Sequence, residues 1–119
     1  MGKFWVTVGV GHPYEGDLAE VSALVDTGAT HSMMPESLLA QLHIEPVVER
    51  SIRFADGGRE RRGVGVARIA YRGEEWPCPI ILGSEDQYLL GATTLEAFAL
   101  VVDPIERELV PEEYLARPL

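Results

Sequence analysis

The stretch LVDTGATHS, residues 24–32, sets one carboxylate, Asp26, behind Leu24 and Val25 and directly ahead of Thr27, Gly28 and Ala29. A carboxylate at the end of an apolar run costs several kcal/mol unless it is hydrogen-bonded or shares a proton with a partner. The residues that follow supply the compensation. Gly28, without a Cβ, lets backbone N–H groups approach the carboxylate and permits a sharp turn; Thr27 brings a hydroxyl for cross-bracing; Ala29 keeps the floor of the turn small. The stretch therefore reads as a device that presents one carboxylate held from below by the main chain. A carboxylate that merely caps a turn is the competing reading.

Outward from Asp26, punctuation by 12 glycines and 8 prolines cuts the chain into short segments rich in β-branched and aromatic residues, the pattern of an all-β domain. Phe4–Val10 reads as a strand, residues 11–17 as a polar turn, and Leu18–Val25 as a returning strand with Val21, Ala23 and Val25 on one face. PESLLAQL (35–42) predicts a short helix with Pro35 at its first position and Leu38, Leu39 and Leu42 toward the core. Val47–Ala55 and Glu60–Ala70 read as strands joined at Asp56-Gly57-Gly58-Arg59, because Asp-Gly between extended runs is a strong hairpin signal. YRGEE (71–75) turns the chain into Trp76–Leu82; Gln87–Leu90 is a short apolar run ending at Gly91; ATTLEAF (92–98) is a second helical turn. Ala99–Asp103 and Glu106–Val110 form a last hairpin, and residues 110–119 read as a loosely held tail.

With 119 residues, 46% of them hydrophobic, the expectation is a single domain spanning 1–119 around one core. A formal charge of -9 repels phosphate backbones and anionic lipid, so neither nucleic acid nor a membrane is an expected partner. Cys78 is the only cysteine, which requires no oxidising compartment and fits a cytoplasmic location. The N-terminus lacks a signal-peptide cleavage site, and no run approaches a membrane span. His12, His31, His43 and Cys78 have no metal-ligand spacing, so neither a metal nor a cofactor is expected. Gly9-Val10-Gly11 lacks the third glycine and the following helix of a dinucleotide loop.

ALVDTGATHSMMPESL (23–38), followed some sixty residues later by LLGATTLEAF (89–98), resembles the retropepsin-like, single-domain aspartic proteases. The glycine-tipped hairpin between the two motifs falls where that family has its flap. The resemblance covers residues from about 4 to 104 and implies a closed acid-protease-like β-barrel with one or two short helices. It implies that Asp26 is the catalytic carboxylate, supported by Thr27, Gly28 and Ala29, with Leu89, Leu90 and Gly91 as the second motif and Asp56, Gly57, Gly58 and Arg59 as the flap tip.

Aspartic proteolysis needs two carboxylates that share one proton, and this chain carries one Asp-Thr-Gly. The resemblance therefore implies a homodimer with the active site on its two-fold axis, Thr27 reaching to the partner chain, and a peptide or protein substrate. Leu24, Met33, Ile81 and Leu90 are candidates for side-chain subsites or for plain core packing. Many retroviral members carry an acidic residue and an Arg where this chain has Thr30 and Ala92, so the charged brace of the dimer is absent here. Arg59, Arg61 and Arg62 on the flap read first as solvated charge and second as an attraction for acidic substrates. Two functions follow: an aspartic endopeptidase, or a non-catalytic domain of the same fold that binds peptide or dimerises.

Overall fold

A computed structural model describes residues 3–116. Among these, nine strands and two short helices follow one another as β1 (Trp5–Gly11), β2 (Ala19–Val25), β3 (Ser32–Pro35), α1 (Glu36–Gln41), β4 (Val48–Arg53), β5 (Arg59–Tyr71), β6 (Glu74–Gly83), β7 (Leu89–Leu90), α2 (Ala92–Ala97), β8 (Leu100–Asp103) and β9 (Glu108–Pro111). The mostly-β architecture expected from the Gly and Pro punctuation is present.

Alternation builds the first hairpin. In β1, Val8 and Val10 are buried while Trp5 and Thr7 are exposed, and Ala23 and Val25 of β2 are buried on the same side. The order β1-β2-β7-β3-β6-β5 closes into a ring because β5 also pairs with β1 through Gly9–Ala70, Val10–Ile69 and Gly11–Arg68. β4 hangs from β5 outside the ring. The 13-residue β5 therefore has two duties: its charged first half is an arm of the β4–β5 hairpin, and its apolar second half is a stave of the ring.

The staves β3, β6 and β7 are covered on both faces. Met34, Ile80, Leu82 and Leu90 enter the main core with Val10, Leu39 and Ile69. Met33 and Ile81 point the other way and, with Val64, form a second cluster against which Ile52, Phe54 and Leu89 pack. This two-sided burial explains why β3 is not anticipated from the sequence: Ser32–Pro35 is buried at every position, so it has no alternation to read.

Several boundaries move. Pro35 ends β3 and is the N-cap of α1 rather than its first helical residue. The β5–β6 turn is not the five residues 71–75 but Arg72 and Gly73 alone, both at positive φ (49° and 82°), the arrangement a two-residue hairpin of matching twist demands. The segment expected to hang loose from residue 110 is held for several residues: Val110 and Pro111 belong to β9, Glu112 N–H donates to the Ala99 carbonyl at 2.8 Å, and the Tyr114 hydroxyl reaches the carbonyls of Glu96 and Ala97 at 2.8 and 2.9 Å. The last three residues of that segment, 117–119, lie outside the described residues. No helix among the described residues is long and apolar enough to cross a membrane.

Candidate active site

β2 delivers Asp26 to the rim of the ring. Val25 is buried, the chain leaves the core at the next residue, and Asp26 stands half-buried at the strand end. Its N–H donates to the Leu90 carbonyl at 3.0 Å, its carbonyl accepts from Ala29 N–H at 3.1 Å, and its Oδ1 accepts from Gly28 N–H at 3.0 Å. The carboxylate is thus held from below by the main chain of its own turn. Thr27 and Gly28 are exposed beside it and Ala29 is half-buried under the turn.

The second motif is threaded through the first. β7 lies between β2 and β3, pairing parallel to β2 (Leu24–Leu89, Val25–Leu90) and antiparallel to β3 (Met33–Leu89). Gly91 then passes so close to the Asp26 turn that a Cβ on it would sit 2.5 Å from the carbonyl carbon and oxygen of His31 and 3.0 Å from the Ala29 oxygen. Only glycine fits. The first amides of α2 donate back to the loop, Ala92 N–H to the Ala29 carbonyl at 2.8 Å and Thr93 N–H to the Thr30 carbonyl at 2.9 Å. Thr30 and Ala92 therefore stand at the junction of the two motifs, which neutral main-chain bonds hold.

The β4–β5 hairpin covers the outward face of β3, β6 and β7. Its tip is a three-residue loop, Ala55-Asp56-Gly57: Phe54 N–H donates to the Gly58 carbonyl at 2.8 Å, Gly57 N–H to the Phe54 carbonyl at 2.9 Å, and Gly57 takes φ 90°. Asp56 Oδ1 braces the loop by accepting from Gly58 N–H at 2.7 Å. Arg59 is the first residue of β5 rather than part of the tip. Asp56, Gly57, Gly58 and Arg59 are all exposed; the residues that touch the sheet below are Ile52 and Phe54.

Two comparisons bear on this arrangement. Residues 16–97 match the family described as "gag-polyprotein putative aspartyl protease". The chain belongs to that family of retropepsin-like aspartic proteases. A search of curated proteins found no match. Among solved structures the chain is similar to the EIAV protease in complex with an inhibitor, at 17% identity and a TM-score of 0.63 over 82% of this chain and 88% of that one. It is also similar to the simian foamy virus (mac) protease, at 18% identity and a TM-score of 0.58 over 80% of this chain and 94% of that one. At these identities the likeness is one of fold.

In this retropepsin-like frame four polar residues hold the two motifs together. Ser32, fully buried, accepts from Gly91 N–H at 3.1 Å and lies 2.6 Å from the Thr94 hydroxyl, itself 2% exposed. Thr93 Oγ1 donates to the Thr30 carbonyl at 3.0 Å, which commits its one proton; His31 Nδ1, at 2.8 Å, must then be the donor to Thr93, leaving Nε2 open. His31 to Thr93 and Ser32 to Thr94 are both 62 residues apart. Sequence reasoning left Ser32, Thr93 and Thr94 aside. The one signal that could have found them is this equal spacing of two short polar runs inside otherwise apolar motifs.

Of the four residues weighed as subsite lining, Met33 and Ile81 lie under the hairpin, Leu90 is core and Leu24 is half-buried on β2. Leu89, from the second motif, joins Met33 and Ile81 instead. Beside the carboxylate is an open concavity of about 300 Å³ whose lining includes Phe4, Asp26, Thr27 and Val102. Among the described residues no three His, Cys, Asp or Glu side chains gather as a metal site. Burial pushes the Cys78 thiol up from its ordinary value, and a bond from Thr94 offsets part of that shift.

Proposed function

We propose that this domain is an aspartic endopeptidase whose active site is completed by a second copy of the same chain. The observation that carries the reading is the Asp26 carboxylate, half-exposed and held by Gly28 N–H at 3.0 Å in a turn locked to the second motif. One such carboxylate cannot both accept a proton from water and donate one to the peptide. Two of them across a two-fold axis can. The ionised Asp26 takes a proton from a water that attacks the scissile carbonyl carbon, while the partner's Asp26, protonated, donates to the carbonyl oxygen. The tetrahedral diol then collapses, the C–N bond breaks, and a carboxyl proton goes to the departing amine.

Thr27, exposed next to Asp26, is the residue of the turn available to a partner chain, and the β4–β5 hairpin is the cover that closes over an extended peptide and excludes water. The whole of residues 1–119 works as one domain in this reading, without metal or cofactor. A cytoplasmic location belongs to the same proposal and is supported by the lone buried thiol of Cys78.

The test is incubation of an unfolded protein with wild type and Asp26→Asn at mildly acidic pH, with the mass of the assembly measured alongside. Cleavage by the wild type alone, in a dimer, is expected. Equal cleavage by both, or none from a proven dimer, rejects the protease in favour of a peptide-binding domain.

A further inference from the structure

The β4–β5 hairpin carries a charge distribution that the proposed cover does not require. Five of the nine arginines of the chain lie between residues 48 and 63, with only three of its nineteen acidic residues, although the chain as a whole is at -9. Strand alternation sorts these charges by face. Ile52 and Phe54 pack on the cluster of Met33, Val64 and Ile81, so Val48 and Arg50 share their face on β4. The register puts Glu60 opposite Ile52, Arg62 opposite Arg50 and Val64 opposite Val48 on that same face. Glu49, Arg53, Arg59 and Arg61 stand on the face turned away.

Arg50 and Arg62 are therefore like charges directly across a strand pair, a placement that costs stability. Arg62 is compensated: its Nε and Nη2 donate to Glu60 Oε1 at 2.9 and 2.6 Å, and Nη2 also to Ser84 Oγ at 3.1 Å. Arg50 is not. Its one bond is from Nη1 to the carbonyl of its neighbour Glu49 at 3.0 Å, and among the described residues no carboxylate pairs with it. Glu60, the acid on this face, is already taken by Arg62. The exposed guanidinium of Arg50 thus stands beside the apolar underside of the hairpin with its planar donor fork unused by any anion.

We propose that Arg50 selects peptides bearing an acidic side chain beside an apolar one. The proposal rests on the reading of this face as the peptide-binding side of the domain. Two residues along a strand span about 7 Å, so Arg50 lies about that far from Ile52 and about 14 Å from Phe54. An extended peptide under the hairpin presents side chains with the same period. A carboxylate two to four residues from an apolar side chain set against the half-buried Ile52 or Phe54 then meets Arg50 in a bidentate, charge-assisted pair. The outward Arg53, Arg59 and Arg61 add attraction at longer range without choosing a position.

Binding tests this apart from catalysis. Three labelled peptides with one apolar centre and Glu, Gln or Lys at the flanking position are titrated by fluorescence anisotropy into Asp26→Asn, which keeps the surface intact and cleaves nothing. The Glu peptide is expected to bind about threefold to fivefold more tightly than the Gln peptide, with Lys weakest, and salt narrows the spread. In Asp26→Asn carrying Arg50→Gln the Glu preference vanishes, and with Arg50→Glu it reverses toward Lys, while the unfolding temperature does not fall, because the Arg50–Arg62 repulsion is relieved. Equal binding of the three peptides, binding of none, or a Glu preference that survives Arg50→Glu overturns the proposal. Loss of the protease reading is seen separately, as wild type failing to cut an unfolded protein while the charge preference in binding persists.

Discussion

The turn that carries Asp26 and the hairpin that overhangs the sheet are built on opposite principles. Around Asp26, main-chain groups from two motifs more than sixty residues apart are bonded to each other: Asp26 to Leu90, Ala92 to Ala29, Thr93 to Thr30, with Ser32 bridging Gly91 and Thr94. In the hairpin the main chain bonds only to itself, most of its charges face water, and its attachments to the body include two half-buried apolar side chains, Ile52 and Phe54, and one bond from Arg62 to Ser84. A two-stranded hairpin is marginal by itself. A group that must point a carboxylate needs the first design, because every bonded polar neighbour narrows its orientation. The second design suits the proposed function, in which the hairpin lifts for a peptide, because little burial is lost on opening.

The strongest way to break the rigid half is Gly91→Ala. Its methyl would enter the His31 backbone at 2.5 Å, where no rotamer can relieve the overlap, so the expected loss is about 1–3 kcal/mol or more, read as a fall in the denaturant midpoint. Next, Ser32→Ala removes the bridge and leaves the Gly91 N–H and the Thr94 hydroxyl buried without their partner. About 1–3 kcal/mol is the expected cost by chemical denaturation, and Ser32→Thr, which restores the hydroxyl, should recover part of it.

The flexible half should respond differently. Phe54→Ala is expected to change global stability by no more than about 1 kcal/mol, yet to raise amide exchange throughout β4 and the first half of β5; equal protection in the two proteins would show that the hairpin is held by something else. The smallest effect belongs to Cys78. Its thiol is raised by burial, so folding favours the neutral form, and that contribution is complete below the unfolded value of 9.0 and is lost as the pH rises past it. Stability should therefore slope downward above pH 9 in wild type and lose that component of the slope in Cys78→Ala, as measured by midpoints at successive pH values.

The local pieces were readable because each is closed by neighbours in the chain. The Asp26 turn needs only Gly28 two residues on; α1 follows from Pro35 and its leucines; the first hairpin follows from alternation in β1 and β2. Turn type was less legible. The sequence joins the two strands at Asp56 to Arg59, yet the bond between Phe54 and Gly58 leaves Ala55 to Gly57 as a three-residue loop, whereas Arg72-Gly73, inside the expected turn 71–75, makes the tight one. Both helices are followed by a left-handed residue that is not glycine, His43 at φ 61° and Ala99 at φ 53°, so the usual stop signal was missing.

By itself the sequence determined the family, the presented carboxylate and the order of the hairpins and helices along the chain, since these depend on residue identity and on spacings of a few residues. Only the tertiary structure decided that β7 slips between β2 and β3, that Ser32 meets Thr94, and that Arg50 shares a face with Ile52 and Phe54. Those facts depend on which strands lie side by side when the ring closes. A strand buried on both faces carries no periodic mark of its neighbours, and a hydrogen bond spanning 62 residues leaves none in the local pattern.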